Sequence, residues 1–120
     1  MEQCQLNYIR REAKFLTINL KDRLGQLNWT QGSYRAFAVL NLEDLDIPFN
    51  EDPKDYIFTK TDQEIKAVSS GLATGVLNVP LTEDDLDNET DFFICVKMDL
   101  GTYAKKKVII KYKLDTNCGN

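Results

Sequence analysis

The chain has 120 residues, with 15 lysines and arginines against 19 acids, a net charge of −4 and a pI near 4.8. That length fits one domain, and 42% hydrophobic residues supply a core and argue against disorder throughout. Histidine is absent, which removes Ser–His and Cys–His nucleophile systems, and with no CxxC pair either the common structural zinc sites lack their ligands.

The opening stretch "MEQCQLNYIRREAKF" lacks the basic-then-apolar order of a secretory signal. No apolar run approaches the ~20 residues of a membrane helix, so the reading is a chain without signal peptide or transmembrane segment, made in the cytoplasm. Residues 1–12 are polar with scattered apolar positions and read as an N-terminal arm. A single domain follows over residues 13–115, and residues 116–120 form a C-terminal tail.

From Ala13 the pattern changes. Leu16, Ile18 and Leu20 alternate with Thr17, Asn19 and Lys21, the period of a half-buried strand. "DRLG" supplies a hairpin turn with Gly25 at its close, and "TQGS" is a second turn signal. "SYRAFAVL" (Ser33 to Leu40) carries Arg35 as its one charge and suits a central strand.

Glu43 to Asp55 holds six acids, one lysine and two prolines, and reads as a solvated loop. "YIFTK" predicts a strand, and "EIKAVSS" is ambiguous. In "GLATGVLNVPL" the strand places Leu77 and Val79 on one face and Val76 on the other. "LTEDDLD" has capping-box spacing between Thr82 and Asp85, and predicts one short helical turn. "DFFICVKMDL" is strongly β.

The last strand lies in "YAKKKVIIKYKL". Val108, Ile110, Tyr112 and Leu114 fall on one face, and Lys105, Lys107, Lys111 and Lys113 on the other. An outer strand with an apolar face and a lysine face explains those charges as a solvated surface. Nucleic-acid binding, with Tyr103 or Tyr112 stacking, conflicts with the acidic balance of the chain.

No cofactor or metal site emerges. An EF-hand register starting at Asp85 puts Thr90 and Val96 where glycine and glutamate belong, which leaves at most a weak surface calcium site in Glu83 to Asp91. "SSGLATG" lacks the order of a phosphate-binding loop. Cys4, Cys95 and Cys118 form no CxxC pair and read as reduced thiols; the sequence leaves open whether Cys4 and Cys118 meet. The strand count and turn spacing predict an all-β fold, an immunoglobulin-like antiparallel β-sandwich of about 7–8 strands with at most one short helical turn.

One ordered set of features resembles a known family. It runs from "FLTINLKD" through "DRLGQLNWTQGS" and "YRAFAVL" to "SGLATGVLNVPLTEDDL", "DFFICVKMDL" and "KKVIIKYKL". This resembles the N-terminal β-sandwich domain of tailed-phage baseplate upper proteins and related tail and fibre modules. Asp22 and Gly25 match the first turn, and Gly75 with Leu81 to Asp84 match the strand and turn that follow the acidic loop. The resemblance implies a non-enzymatic structural component of a phage virion: a tail or baseplate, head-fibre or capsid-decorating protein. Its partners would be other virion proteins or further copies of the chain. The candidate docking residues are Leu6, Tyr8, Ile47, Pro48 and Phe49, apolar side chains in otherwise polar segments. The alternative is a carbohydrate- or receptor-binding sandwich, for which Trp29 is the one tryptophan to offer.

Overall fold

The computed structural model describes residues 2–20, 29–101 and 105–115. Two sheets face each other. A five-stranded sheet has the order β1 (Glu2–Tyr8), β7 (Lys105–Leu114), β6 (Phe92–Asp99), β3 (Ser33–Val39), β4 (Phe58–Lys60), and a two-stranded sheet pairs β2 (Lys14–Asn19) with β5 (Val76–Leu81). The protein is therefore an all-β sandwich with seven strands among the described residues and one short α-helix, α1 (Asp62–Ala67). The turn predicted at Asp22 and Gly25 lies outside the described residues, as do Tyr103 and Cys118, and so does the side chain of Cys4.

Alternation builds the smaller sheet. Leu16 and Ile18 of β2 and Leu77, Val79 and Leu81 of β5 point inward and are buried, while Phe15, Thr17 and Asn19 point outward and Val76 is half-buried. The five-stranded sheet answers with Tyr34, Ala36 and Ala38 of β3, Phe92, Ile94, Val96 and Met98 of β6, and Val108, Ile110 and Tyr112 of β7. Burying these side chains, at ~1.5–3 kcal/mol for each one larger than alanine, is the main force holding the layers together.

Two expectations change at the ends of this core. Residues 2–8 are not an arm: β1 pairs in parallel with β7, Glu2 opposite Val108 and Tyr8 opposite Leu114, so one ladder of the sandwich is not antiparallel. The sequence hides this because an edge strand buries few side chains. Of the described β1 side chains, Gln5, Leu6 and Asn7 are exposed and Tyr8 alone is buried.

The helix also sits elsewhere than expected. α1 starts at Thr61, whose Oγ1 accepts from Glu64 N (3.2 Å) while Thr61 N donates to Glu64 Oε1 (3.1 Å), a complete capping box. Asp62 Oδ1 accepts from Tyr34 N (2.8 Å) and ties the helix to β3. At the other end Ser69 Oγ donates to Ile65 O (2.7 Å) and accepts from Asn78 N (2.9 Å), which joins the helix to β5. "LTEDDLD" does form its predicted cap, with Thr82 N donating to Asp85 Oδ2 (2.9 Å) and Leu86 N to Thr82 O (3.2 Å), but it stops as a turn. After Leu81, which belongs to β5, Leu86 is the one buried apolar residue in that stretch, too few to hold a helix against the core.

Candidate docking surface

The outer face of the five-stranded sheet carries a second, small core of Val39, Leu45, Cys95 and Ile109, with Phe93 packed beside it. What covers it is the acidic segment between β3 and β4, expected from sequence to be a solvated loop. A 3₁₀ turn at Leu42–Leu45 drops Leu45 into the cluster, and Pro53 is buried. The segment therefore acts as a strap across the sheet.

Lysines hold the strap by its main chain. Lys97, in the middle of β6 and only 5% exposed, donates to Phe49 O (2.8 Å) and Glu51 O, with Asp52 Oδ1 at 3.4 Å. Lys107 donates to Ile47 O (2.5 Å). A buried ammonium is costly unless its donors are matched, and here carbonyls supply the acceptors. Asp52 also accepts from Arg35 Nη2 (2.7 Å), and that bond holds its carboxyl below the usual range. The lysine face of β7 is thus not uniformly solvated: Lys105 and Lys113 are exposed, whereas Lys107 and Lys111 are half-buried.

The sequence-derived docking residues do not form one surface. Tyr8 is in the core, 1% exposed, with its hydroxyl donating to Thr90 O (2.7 Å) and its ring edge-on to Phe92 at 5.1 Å. Burial raises its pKa, with Asp91 adding to the effect. Leu6, two residues earlier, is 41% exposed at the sheet edge. In the strap Pro48 is exposed while Ile47 and Phe49 are half-buried, and Phe49 lies beneath the ammoniums of Lys97 and Lys105 at 5.7 and 5.8 Å. Pro48 and Leu6 therefore remain accessible, and Tyr8 does not. In "TQGS" Gly32 alone is buried, where a Cβ would stand 2.6 Å from Leu100 Cδ2, while Thr30, Gln31 and Ser33 are exposed.

Sequence reasoning missed the apolar feature on the opposite side. On the outer face of the small sheet, Phe15 stands across from Pro80 in the β2–β5 register and is 57% exposed. With Ala13, Val68 and Leu81 it lines an open groove of about 790 Å³, bordered by Lys14, Thr82, Glu83 and Asp84. The signal was present, since a phenylalanine occupies an outward position of an alternating strand.

The acids of residues 83–91 are engaged by cations. Asp87 takes Arg10 Nε (2.8 Å) and Arg11 Nη1 (2.9 Å), which keep its carboxyl low; Glu83 and Asp84 lie 3.8 and 3.6 Å from Arg11. Asp85 meets Lys60 Nζ at 2.6 Å with both side chains largely buried. Burial pushes Asp85 up, but Lys60 and the Thr82 donors outweigh it and leave the carboxyl below its ordinary value. Among the described residues no group of three or more acidic or thiol side chains is placed to hold a metal ion. Trp29 is 7% exposed and Tyr34 donates to its carbonyl (2.5 Å), with the Tyr34 pKa pushed up to about 12 by burial and Asp62. No helix among the described residues is long and apolar enough to cross a membrane. Neither a family model, nor a curated protein, nor a solved structure matches the chain.

Proposed function

We propose that this protein is a non-enzymatic structural component of a phage virion (tail or baseplate, head fibre or capsid decoration) that works by docking onto other virion proteins. The observation that carries the docking part is the Phe15–Pro80 groove, where Phe15, the most exposed of the described large apolar side chains, stands on the outward face of the small sheet. The virion part rests on the resemblance along residues 13–115. Deleting residues 1–12 is no test of docking, because it removes a strand and Tyr8 from the core. Phe15→Ser is the suitable variant, since Phe15 is exposed and its loss leaves the core intact. The expected result is a folded domain that no longer enters purified particles, read by mass spectrometry of those particles. Wild-type chain absent from every particle, or Phe15→Ser incorporated as well as wild type, refutes the reading.

A carbohydrate- or receptor-binding module is the second reading. It loses Trp29 to the interior, but Tyr56 is 52% exposed beside a hollow that also takes in Arg35, Asp52 and Asp62. Glycan-array binding abolished by Tyr56→Ala would favour it.

A further inference from the structure

The open edge of β1 differs from the other edges of the two sheets. β4, at the far side of the large sheet, has three residues and ends in Lys60. In the small sheet β2 begins with Lys14 and β5 carries Pro80. Short strands, lysine and proline are the devices that keep exposed edges from pairing. β1 is seven residues long and contains neither lysine nor proline.

The direction of its main-chain groups follows from one bond. Asp115 N donates to Tyr8 O at 2.8 Å, so the Tyr8 carbonyl faces β7. Successive residues of a strand point their N–H and C=O to opposite sides. Leu6 therefore faces β7 as Tyr8 does, and the main-chain groups of Gln3, Gln5 and Asn7 face outward. The Asn7 carbonyl fits this assignment: it accepts from Lys14 Nζ (3.1 Å), a cation reaching across from the other sheet. Among the described residues no strand pairs with this side of β1.

We propose that the occupant of this edge is a second copy of the chain, pairing β1 antiparallel to β1 about a two-fold axis perpendicular to the sheet. Such an axis keeps the same face of both sheets inward, so residues of equal parity must oppose each other. Centring it on Gln5 uses the whole strand: Gln5 meets Gln5, and Gln3 meets Asn7 in both directions. These are the residues with outward main-chain groups, so each pair exchanges two bonds, about six in all. Charge does not oppose the match, because Glu2 is the one charged residue of β1. Leu6 gains a cover as well. It lies beside Tyr112 in the β1–β7 register and is exposed there, and it would stand opposite residue 4 of the second copy. The contact is a strand edge, smaller than the ~800 Å² per partner of a standard interface, so the dimer is weak and reversible. Lys14 must swing away from Asn7 as it forms.

The inference stands on strand geometry and is separate from the virion reading. A chain that self-pairs but enters no particle keeps it, whereas a particle component that is monomeric at every concentration overturns it alone. Sedimentation equilibrium on the full chain, from micromolar to near-millimolar, tests it with Gln5→Lys and Gln5→Glu. Gln5 has an exposed side chain, so circular dichroism and urea midpoints should match wild type in both variants. Each variant sets like charges against each other at the axis, and dimer affinity should fall at least ten-fold. An equal mixture should recover a heterodimer of wild-type affinity or better. A monomeric wild type, variants that dimerise like wild type, or a mixture that fails to recover each refutes the pairing.

Discussion

Lys97→Met should loosen the strap while leaving the sandwich folded. The Lys97 ammonium lies 5.3 and 5.7 Å from the centroids of the Phe37 and Phe49 rings, and methionine keeps most of the stem, so the change removes the charge and its donors and little packing. Two hydrogen bonds from an ammonium to main-chain carbonyls are lost, together with a longer one to Asp52. At ~1.5–3 kcal/mol per charged hydrogen bond, less what is regained by no longer burying a charge, the net cost is about 2–4 kcal/mol. Most of it should appear as local opening, because Leu45 of the strap packs in the small cluster around Cys95, and no residue from Glu43 to Asp55 belongs to the inter-sheet core. Cys95 is 1% exposed, and burial raises its thiol pKa, so it reacts only when uncovered. In a background with Cys4 and Cys118 changed to serine, labelling of Cys95 by an aromatic disulfide should accelerate roughly 30- to 700-fold, the equivalent of that free energy at 1.4 kcal/mol per decade. Far-UV circular dichroism should stay unchanged. Unaltered labelling would mean that the lysine–carbonyl contacts carry no stability and that the strap is held by Leu45 and Pro53 alone.

Five further substitutions have expected outcomes. Lys113→Gln should shift the urea midpoint by no more than ~0.5 kcal/mol, since that side chain is exposed, whereas Ile110→Ala should cost about 2–4 kcal/mol for a buried large-to-small change. Tyr8→Phe should cost about 1 kcal/mol for the lost bond to Thr90 O, and Tyr8→Ala about 3–5 kcal/mol, a contrast readable in the same unfolding assay. For Asp85 the folded pKa lies below the unfolded one, so the unfolded chain binds the proton first: its contribution is complete above the ordinary carboxylate range and fades as pH falls through the lower folded value. Asp85→Asn should therefore lose stability near neutral pH and show a flatter acid limb in urea midpoints taken from pH 7 to pH 2, and an unchanged acid limb would refute the Lys60 pairing.

Where the chain buries one face and wets the other, its pattern could be read directly. β2, β3, β5, β6 and β7 all announce themselves by alternation or by runs of β-branched residues, and the split of Leu77 and Val79 from Val76 appears as expected. β1 could not be read that way, because its stability comes from main-chain pairing along β7 and one anchoring tyrosine. The helix was legible in principle: "TDQE" at Thr61 to Glu64 has the same capping-box spacing as Thr82 to Asp85. What decides between them is the buried partner. Ile65, with α1 packed on β3 and β5, stabilises the first, and nothing comparable follows Leu86. The strap was hidden for a different reason. Its anchors are carbonyl groups, which every residue has, and the one clue was a lysine in the middle of the apolar strand "DFFICVKMDL". Of the docking residues named from sequence, burial removes Tyr8, and the exposed Phe15 was passed over because alternation had already explained its strand.

The parallel ladder between β1 and β7 has a consequence for the order in which the molecule assembles. Glu2 finds its partner at Val108, so β1, made before the other six described strands, must wait for β7, made after them. During that wait Tyr8 has no place to go, since the rings it packs against belong to Phe92 and Tyr112. The hairpin of β6 and β7 spans a short loop and closes early, and β3 adds to it across a longer one. Joining β1 closes a loop of about a hundred residues, a separation that slows folding more than it lowers stability. The N-terminal strand should then dock late, as the final step that seals Tyr8 beneath the sheet. Pulse-labelled hydrogen exchange would show amides of β6 and β7 protected before those of β1.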